Sequence, residues 1–525
     1  MTNKTNKFFY FFKKYNQIFI EKKNSKKKAL IIDRGIAESA IMNSGLAYIL
    51  NKKYLMNISL LQSNKRNVTS KIYKIMKINN IFDINIKKNL LNLKIIIPAV
   101  IIFSISIIKI LFLKKSWFIK KFKLKGIYFG DIIYDTFIRH DNDFLKENLI
   151  NKKFLKLLFI SVYKIQIIEN ILNKNKFNCV IASTHTYASD SAFAMRLALK
   201  KKIIVLKVTS SRLRIFKNLS ESYIEDLAYD RKKLIYKLDK NFKNWRKQIE
   251  LYLSFRKKGK LKIHTAIDAY KDKTHISKKQ FFKKLNIQSN EYKKVILFAP
   301  HCFSDANYSR GNLIFESYYD QFKKSIEYFK RKKNILFLVK IHPSSFRYNE
   351  QNIIKKYFQQ IQKKNIILCS ETLKVSSLIK FSDLIITGRG TIGLEAAVVG
   401  KKPLLAGDSF YSHAGFTHDP KNIYEYTSFI DSNKNIHKLN KIQIFNAKKF
   451  MFLLSFKNSL TNQDLIPRNN FIKINIKEKR ILQNYFHGDF FLEKLIPSVQ
   501  NRKNIFSDLT FKNFEKILGD SKNML

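Results

Sequence analysis

The sequence has few residues that break regular structure and few that cross-link a chain. It contains 14 glycines, 7 prolines and 3 cysteines among 525 residues. The cysteines, Cys179, Cys302 and Cys369, lie far apart and form no CxxC pair. An odd, sparse set of this kind excludes a disulfide framework and a cysteine zinc site. It is typical of a reducing compartment such as the cytoplasm.

Acidic residues are also scarce. The chain has 100 Lys and Arg against 39 Asp and Glu, which gives a formal net charge of +61. The lysines are spread along the whole chain with asparagine and isoleucine, as an A/T-rich coding sequence would produce. Two interpretations therefore stay open: compositional drift, and attraction to an anionic membrane surface or a polyanion. Zinc-finger spacing and aromatic RNA-binding signatures are missing from the sequence, so nucleic acid is not an expected partner.

Long hydrophobic runs are rare, and one stretch needs an explanation. Ile95–Ile108 carries no charge, and Lys109 ends it. This length is short for a transmembrane helix and fits a buried core helix, or a helix lying on a membrane, better than a span. Lys114, Lys115 and Trp117 follow the run, where anchors of a membrane interface are found.

The order of predicted strands and helices indicates two α/β domains. In the first half, apolar strands at Ala29–Asp33, Cys179–Ala182 and Ile203–Val208 are separated by helices. In the second half, strands from Val295–Ala299 to Pro403–Ala406 alternate with short amphipathic helices. This order is typical of βαβ units and predicts parallel sheets.

The lysine-rich stretch 220–290 contains no predicted strand, so the domain boundary is expected within it. We expect four segments: a basic lead-in over 1–28, a first α/β domain over 29–275, a second over 276–440, and a helical tail over 441–525 that packs on the core.

Glycine and proline concentrate around one set of turns. Six of the 14 glycines lie between residues 388 and 415, and four of the 7 prolines lie between 300 and 420. These turns follow the carboxyl ends of predicted parallel strands, where open α/β sheets bind ligands. The pattern therefore predicts a ligand site in the second domain.

The sharpest motif is Thr387–Ala396, in which a strand leads through a glycine turn into a helix. Glycines let a backbone approach a phosphate closely, and a helix start offers free N–H groups. Thr391 is expected to cap the helix and donate its hydroxyl, and Arg389 to hold a phosphate bidentately. The plainer alternative is a turn that only packs.

The same motif also matches G-x-G-x-x-G, with Asp408 at the spacing of a ribose-binding acid. A dinucleotide oxidoreductase must therefore be considered. It is disfavoured because the motif opens a late βα unit of its domain and comes with a second basic turn.

That second turn is Lys340-Ile341-His342-Pro343, which follows another strand. Pro343 stiffens the exit from the strand. His342 is expected to donate to a phosphate oxygen and to stabilise charge on a leaving nucleotide. A third turn carries His301 and Asp305, which are expected at the same site, positioning a donor sugar or a water. The histidines lie on separate turns without the short spacing of metal ligands, so no metal is expected.

The segments FAPHCFSDANYSRG, ILFLVKIHPSS and SDLIITGRGTIGLEAAVVGKKPLLAGDSFYSHAGFT resemble the capsular polysaccharide biosynthesis glycosyltransferases. These are similar to the Kdo-transferring capsule enzymes and, more remotely, to bacterial sialyltransferases and CDP-glycerol transferases. The resemblance is densest over 295–420 and weaker at GIYFGDIIYDTFIR and ASTHTYASDSAFAMRLA.

The resemblance implies a GT-B fold, with two Rossmann-like parallel α/β domains facing a central cleft and extra C-terminal helices. The C-terminal half would hold a nucleotide-sugar donor and the N-terminal half the acceptor. Several relatives use cytidine-linked donors, which favours a CMP-linked sugar. No cofactor or metal is implied. The residues expected at the donor are Lys340, His342, Pro343, Gly388, Arg389, Gly390, Thr391, Glu395 and Tyr411.

A base must take the proton of the acceptor hydroxyl, and an acid or histidine on the N-terminal side is expected in that role. The candidates there are Asp33, Glu38, Asp131, Asp135, His185 and Asp190. Of these, Asp33, Glu38, His185 and Asp190 form the expected catalytic set with His301 and Asp305.

The expected function is transfer of a sugar from a nucleotide-activated donor to a surface or capsular polysaccharide or its lipid-linked precursor. The expected location is the cytoplasm, peripheral on the inner face of the inner membrane. The alternatives are a polyol-phosphate transferase or nucleotide-sugar epimerase of the same fold, and a non-catalytic basic protein that binds membranes or polyanions.

Overall fold

The computed structural model describes residues 25–461 except 64–68, 71–72, 75–77, 86–91, 140–142, 147, 210–211, 225–248, 251–252, 255, 259–268, 271, 289, 362 and 433. The parts of the expected lead-in and tail at 1–24 and 462–525 lie outside the described residues. Within this range the chain forms two compact units. The first takes the described residues up to Phe137 and Lys146–Tyr223, and the second takes Ile138–Leu145 and the described residues from Ile224 on.

The main division between the units therefore falls after Tyr223, earlier in the chain than the expected boundary between 275 and 276. The described residues of the lysine-rich stretch explain the difference. Tyr270 is buried in the core of the second unit, together with Val295 and Leu336 from that unit's sheet. The stretch thus belongs to the second unit by its packing, although it contributes no strand in the part that is described.

The first unit is built on a six-stranded sheet of order β3-β2-β1-β6-β7-β8, parallel except for β8. Its inner strands are short apolar runs, as expected where helices cover both faces of a parallel sheet. A separate two-stranded ribbon pairs β4 with β5. The strands are β1 Lys28–Ile32, β2 Asn57–Gln62, β3 Asn80–Asp83, β4 Lys123–Leu124, β5 Ile127–Tyr128, β6 Cys179–Ala182, β7 Ile204–Thr209 and β8 Arg212–Phe216.

The helices of the first unit connect these strands. Ser189 precedes one of them, and its side chain accepts the N–H of Ala192, a typical helix cap. The helices are α1 Ala37–Tyr54, α2 Leu93–Lys121, α3 Gly130–Phe137, α4 Lys152–Lys174 and α5 Asp190–Lys200.

The second unit contains a five-stranded sheet of order β11-β10-β9-β12-β13, in which every pair is parallel. Its strands are β9 Lys294–Ala299, β10 Ile335–Val339, β11 Ile366–Leu368, β12 Leu384–Thr387 and β13 Leu404–Leu405. The helices are α6 Lys278–Lys284, α7 Tyr318–Lys330, α8 Gln351–Gln359, α9 Val375–Phe381, α10 Ile392–Val398, α11 Ile423–Asp431 and α12 Lys441–Thr461.

The predicted fold class is confirmed: the described residues form two units with parallel Rossmann-like sheets. In each sheet the chain first adds strands on one side of the central strand with which it starts, and then adds strands on the other side of it. The reversal falls between β1 and β6 in the first unit, and between β9 and β12 in the second. The carboxyl ends of the strands at such a point leave a crevice in which α/β proteins bind ligands. The central cleft between the domains remains a prediction.

Helix α2 differs from the buried core element that was one expectation for its sequence. It is 29 residues long and apolar enough to cross a membrane by length and composition, yet only 22% of its most apolar window is buried. Ile95, Ala99 and Ile110 point inward, whereas the side chain of Phe112 is 80% exposed. The run is apolar on all sides of the helix, so its periodicity could not indicate which face packs.

A buried ion pair links α3 to α5. Both terminal nitrogens of Arg196 donate to the carboxylate of Asp131 at 2.6 Å, and one of them also donates to the carbonyl of Tyr128 at 2.7 Å. Neither side chain of the pair is exposed to solvent beyond 1%. Two charges in such a place are tolerated only because each satisfies the other.

We expect Arg196→Met to lower the free energy of unfolding by about 3–5 kcal/mol, because the Asp131 carboxylate would stay buried without its partner. Urea denaturation would measure this loss. Adding Asp131→Leu should recover much of the stability, since no uncompensated charge remains.

The matched control is Lys125→Met at the Lys125–Glu169 pair, whose atoms are 3.9 Å apart and whose lysine is 53% exposed. Its loss should stay below about 1 kcal/mol. Equal losses in the Arg196 and Lys125 variants would contradict the structural role of the buried pair.

Candidate functional site

A cavity of about 620 Å³ lies in the second unit at the carboxyl ends of β9, β10 and β12. It occupies the point where the strand order reverses. Ala299 ends β9, Lys340–Pro343 follow β10, and Thr387, Gly390 and Thr391 end or follow β12. Three of the turns singled out in the sequence therefore meet at one opening, because parallel strands bring their carboxyl ends to the same edge.

The imidazole of His342 has a defined orientation. Its Nδ1 accepts the backbone N–H of Ser344 at 3.1 Å and lies 3.2 Å from the sulfur of Cys302. Burial raises the pKa of the Cys302 thiol, so the thiol stays protonated and can donate to the same nitrogen. Burial also lowers the pKa of His342 to about 3, with the charge of nearby His301 adding to the effect. The ring is therefore neutral near pH 7, and its remaining proton is on Nε2.

The glycine turn is shaped by close packing. A Cβ on Gly390 would lie 2.8 Å from the hydroxyl of Thr387, and a Cβ on Gly393 would clash with the hydroxyl of Tyr411. Thr391, at the start of α10, makes no capping hydrogen bond with its side chain, contrary to expectation. Thr391 is exposed, and it lines the cavity. Its hydroxyl can therefore donate to or accept from a ligand.

Arg389 is the main correction among the donor-binding candidates, because its guanidinium does not line the cavity. One terminal nitrogen donates to the hydroxyl of Tyr318 at 3.0 Å and to the carbonyl of Ala306 at 3.2 Å. The other donates to the carbonyls of Gly311 and Asn312, each at 2.9 Å. The guanidinium is buried, and these hydrogen bonds use the N–H groups that were expected to bind the phosphate.

Gly388 and Tyr411 are likewise supports rather than lining residues. A Cβ on Gly388 would lie 3.0 Å from the ring of Tyr318, so this position packs against an aromatic side chain. Tyr411 is fully buried, and its hydroxyl donates to the carbonyl of Gly390. The alternative of a turn that only packs is therefore right for these positions, and for Arg389.

Glu395 lies at the wall of the cavity within a polar cluster. One carboxylate oxygen accepts from Arg256 at 2.6 and 3.0 Å, and the other accepts the hydroxyl of Tyr270. Arg256 lines the cavity as well. The two partners fix the orientation of the carboxylate and leave lone pairs for further acceptor contacts.

Two lysines line the same cavity. Burial lowers the pKa of Lys340 to about 8, opposed by the thiol of Cys369 and reinforced by the charge of Lys273. The ammonium of Lys340 donates to the carbonyl of Ser370 at 2.6 Å. The carboxylate of Glu371, which also lines the cavity, raises the pKa of Lys340, and a bound anion would act in the same direction.

His301 and Asp305 lie beside this site but do not line the cavity. The rings of His301 and His342 are 5.6 Å apart, and the ring of His301 meets Tyr318 edge-on at 4.6 Å. One carboxylate oxygen of Asp305 is 3.4 Å from Nε2 of His301 and also 3.4 Å from Arg310. The structure thus brings these candidates next to His342, in a separate charged group.

In the first unit, Asp33 follows β1 at the edge where the strand order reverses. It is buried, and its carboxylate accepts the N–H of Gly35 at 2.8 Å and the hydroxyl of Thr69 at 3.1 Å. These bonds hold the turn in place. Glu38 lies in α1, and its side chain is outside the described parts of the chain.

His185 and Asp190 each have a lysine partner. Nδ1 of the buried His185 is 2.7 Å from the ammonium of the buried Lys207, and Asp190 is 2.7 Å from Lys164. With the lone pair of Nδ1 taken by an ammonium, Nε2 carries the ring proton, and the imidazole cannot accept another in this arrangement. Its expected role as a base is thus disfavoured.

Sequence reasoning missed Arg256, Tyr270 and Lys207. The first two lie in the lysine-rich stretch, where nothing distinguishes them from their neighbours in the sequence. Lys207 left a signal, because it is the one charged residue in the strand IVLKVT. Among the described residues, no group of three or more His, Cys, Asp or Glu side chains is placed to hold a metal ion.

Comparison with known proteins finds a family match over part of the chain. Residues 217–451 match the family described as capsule polysaccharide biosynthesis protein. This segment contains all the residues that line the cavity, and it confirms the resemblance stated from the sequence. No curated protein shows a significant match to the chain.

Three solved structures show a distant likeness. The beta Kdo 2,4 transferase KpsC of Thermosulfurimonas dismutans has 15% identity, with 52% of this chain and 79% of that chain covered and a TM-score of 0.30. The beta Kdo 2,7 transferase of the same KpsC has 16% identity, coverage of 54% and 80%, and a TM-score of 0.28. UDP-GlcNAc 2-epimerase of Neisseria meningitidis, bound to UDP-GlcNAc, has 17% identity, coverage of 82% and 100%, and a TM-score of 0.26. At these TM-scores the likeness carries no argument about substrate or reaction.

We expect Arg389→Met to lower the free energy of unfolding by about 3 kcal/mol or more, since the buried carbonyl of Ala306 and the buried hydroxyl of Tyr318 lose the donor that Arg389 supplies. Urea denaturation monitored by circular dichroism would measure the change. The control is Arg347→Met, because Arg347 is exposed and its guanidinium stacks on Phe346. Unchanged stability in the Arg389 variant would contradict its role as a structural clamp.

Proposed function

We propose that this chain, whose residues 217–451 match the capsule polysaccharide biosynthesis family, is a glycosyltransferase that binds a nucleotide-activated sugar in the cavity of its second unit and transfers the sugar to a saccharide acceptor. One observation carries the proposal. The neutral imidazole of His342, the hydroxyl of Thr391 and two lysines converge on one cavity at the reversal point of a parallel sheet. Its volume of about 620 Å³ lies within the range of small-ligand sites.

The phosphate of the donor would lie between His342 and Thr391. Nε2 of His342 offers an N–H whose direction is fixed by the bonds at Nδ1. Thr391 offers a hydroxyl, and Gly390 lets the backbone come close. Donors held in place before reaction stabilise the charge that develops on a leaving phosphate without having to reorganise.

The lysines would supply the opposite charge. Lys340 and Lys273 line the cavity, and burial disfavours the charged form of Lys340, whereas the carboxylate of Glu371 favours it. A bound phosphate would compensate both charges and raise the pKa of Lys340. The lysines thus take the electrostatic role first expected of Arg389.

The nucleoside would extend towards Glu395. Its carboxylate is fixed by Arg256 and Tyr270, and it can still accept hydrogen bonds from the hydroxyls of a ribose. Leu373 and Val375 line the cavity too and offer apolar contact to a base. A cytidine-linked donor is the proposed nucleotide, on the resemblance stated from the sequence.

In the proposed reaction, the bond between the anomeric carbon and the donor phosphate breaks, and a bond from that carbon to an acceptor oxygen forms. The nucleotide leaves with the bonding electrons. The proton of the acceptor hydroxyl passes to a base, for which Asp33, Glu38 and Asp190 remain proposals. The proposed acceptor is a surface or capsular polysaccharide or its lipid-linked precursor, and the proposed location is the cytoplasm.

A screen of thermal unfolding against CMP, CDP, UDP and GDP tests the donor site. A nucleotide that binds only the folded state stabilises it by about 2.7 kcal/mol at 100 times its Kd. We expect one of the four to raise Tm, with His342→Ala weakening its binding about 10- to 100-fold through loss of a hydrogen bond to a charged group.

The expected partial rescue is His342→Gln, whose amide N–H reaches near the position of Nε2. His413→Ala is the control, since His413 is 62% exposed and does not line the cavity. No shift with any nucleotide would contradict the donor site. Products from a labelled nucleotide sugar would then separate transfer to an acceptor from epimerisation of the donor.

The pH dependence of nucleotide binding tests Lys340. Its ammonium form binds the anion, and its pKa in the empty cavity is about 8, so affinity should fall as the pH rises from 7 to 9. His342, with a pKa of about 3, stays neutral over this range and should contribute no change. Calorimetric titration at several pH values would measure the slope, which Lys340→Gln should flatten. A slope that persists in this variant would contradict the assignment.

A further inference from the structure

Helix α2 has two apolar faces, and the described structure packs only one of them. Its inner face includes Ile95, Ala99 and Ile110, which are buried where α2 packs on α4 and α3. Ser106 lies on the same inner face and satisfies its hydroxyl by donating to the carbonyl of Ile102. The helix is therefore anchored to the first unit along its length.

The opposite face forms a continuous apolar surface, which we call the outer stripe. Its residues recur every three or four positions, so they lie on one side of the helix. Each is at least 44% exposed. Soluble proteins rarely expose a contiguous apolar patch of this kind without using it for binding. The members of the outer stripe are Leu93, Ile97, Val100, Ile101, Ile105, Ile108, Leu111 and Phe112.

The charged residues of helix α2 are all of one sign. Helix α2 contains no Asp or Glu, whereas Lys109 flanks the stripe and four lysines follow it. The helical run bends at Lys114, whose φ of 61° and ψ of 178° are not helical, and Phe112 is exposed just before the bend. Trp117, after the bend, is half-buried against Phe122. Lysines and an indole beside an aliphatic face are typical of helices at anionic membrane surfaces.

We propose that the outer stripe of α2 inserts into the headgroup region of an anionic lipid bilayer, with the helix lying parallel to the membrane plane. The packed inner face rules against a span, because crossing the bilayer would strip α2 from α4. Interfacial helices bury an apolar face about 5–10 Å into the boundary between headgroups and acyl chains. The nearby lysines would contact anionic headgroups and strengthen the attachment.

Charge complementarity favours a bilayer over a second copy of the chain as the partner of the outer stripe. A second copy would bring its own formal charge of +61 against the same lysine-flanked face, with no acid on α2 to pair with them. An anionic bilayer offers both the apolar phase that the stripe requires and the negative charge that the lysines require.

Flotation with lipid vesicles tests the proposal on the full chain. The vesicles contain phosphatidylcholine alone or with phosphatidylglycerol added, at low and high salt. We expect binding to the anionic vesicles and loss of most of it at high salt, because screening weakens surface charge interactions. Full binding to the neutral vesicles, or no binding to either, would overturn the proposal. Retention on the membrane after alkaline carbonate extraction would indicate a span and would overturn it as well.

Two sets of variants locate the contact. Replacing Ile101, Ile105 and Ile108 by serine should reduce partitioning by roughly 10-fold or more, since less apolar area is buried. The matched control replaces Ile423, Ile436 and Ile442, three exposed isoleucines of the second unit, by serine and should bind as the unmodified chain does. Equal losses in both would overturn the assignment to α2.

The lysine set is Lys114→Gln, Lys120→Gln and Lys121→Gln, for which we expect roughly a 100-fold weaker partitioning at low salt. Its control replaces the exposed Lys279, Lys356 and Lys364 of the second unit by glutamine. Equal losses in the two lysine sets would mean that general charge, and not this surface, binds the vesicles.

A reporter keeps the test valid should the stripe variants fail to fold. The chain has two tryptophans, Trp117 and Trp245. With both replaced by phenylalanine, Phe112→Trp places one indole at an 80% exposed stripe position, and Tyr424→Trp places one at a 78% exposed position of the second unit. Brominated lipids should quench the indole at 112 and leave the indole at 424 unquenched. The reverse, or no quenching at 112, would overturn the proposal.

Sedimentation without lipid should give a monomer; a dimer that the serine variant disrupts would assign the stripe to a second copy.

Discussion

The guanidinium of Arg389 ties together the two loops that flank the reversal point of the second sheet. It extends from the turn after β12 to carbonyls at 306, 311 and 312, in the loop that follows β9. Both loops start at strands that border the cavity. Because the buried carbonyl of Ala306 would otherwise lack this donor, the clamp holds the loop after β9 against the turn that carries Thr391.

Around that clamp, the site divides its tasks among different residue types. Buried tyrosines such as Tyr411 hold the glycine turn in shape, and a neutral histidine presents a proton in a fixed direction. Lys340 and Lys273 line the cavity with Arg256, beside the carboxylates of Asp272, Glu371 and Glu395. A phosphate bound there would accept from the N–H of His342 and from the ammonium groups at once.

Much of the fold could be predicted from sequence. Strands such as Cys179–Ala182 and Leu384–Thr387 are short apolar runs between helices, a pattern that parallel sheets require and few other folds produce. Six of the nine donor-binding candidates line the cavity, because strand-end turns share one edge of a sheet: Lys340, His342, Pro343, Gly390, Thr391 and Glu395. Arg389 was misjudged because a sequence does not reveal which carbonyls lie within reach of a long side chain. The packed face of helix α2 could not be predicted, because its run of apolar residues shows no helical periodicity.

The sequence by itself determined the two parallel α/β units and the turns that carry the site, since each depends on local patterns of apolar residues, glycine and proline. The tertiary structure decided which polar groups face the cavity, which proton His342 carries, and which side of α2 stays uncovered. Those properties depend on contacts between residues far apart in the chain, such as Arg256 with Glu395 and Lys207 with His185. The periodicity of the sequence determines on which face of a helix or strand a side chain lies, whereas tertiary packing determines which residues it contacts.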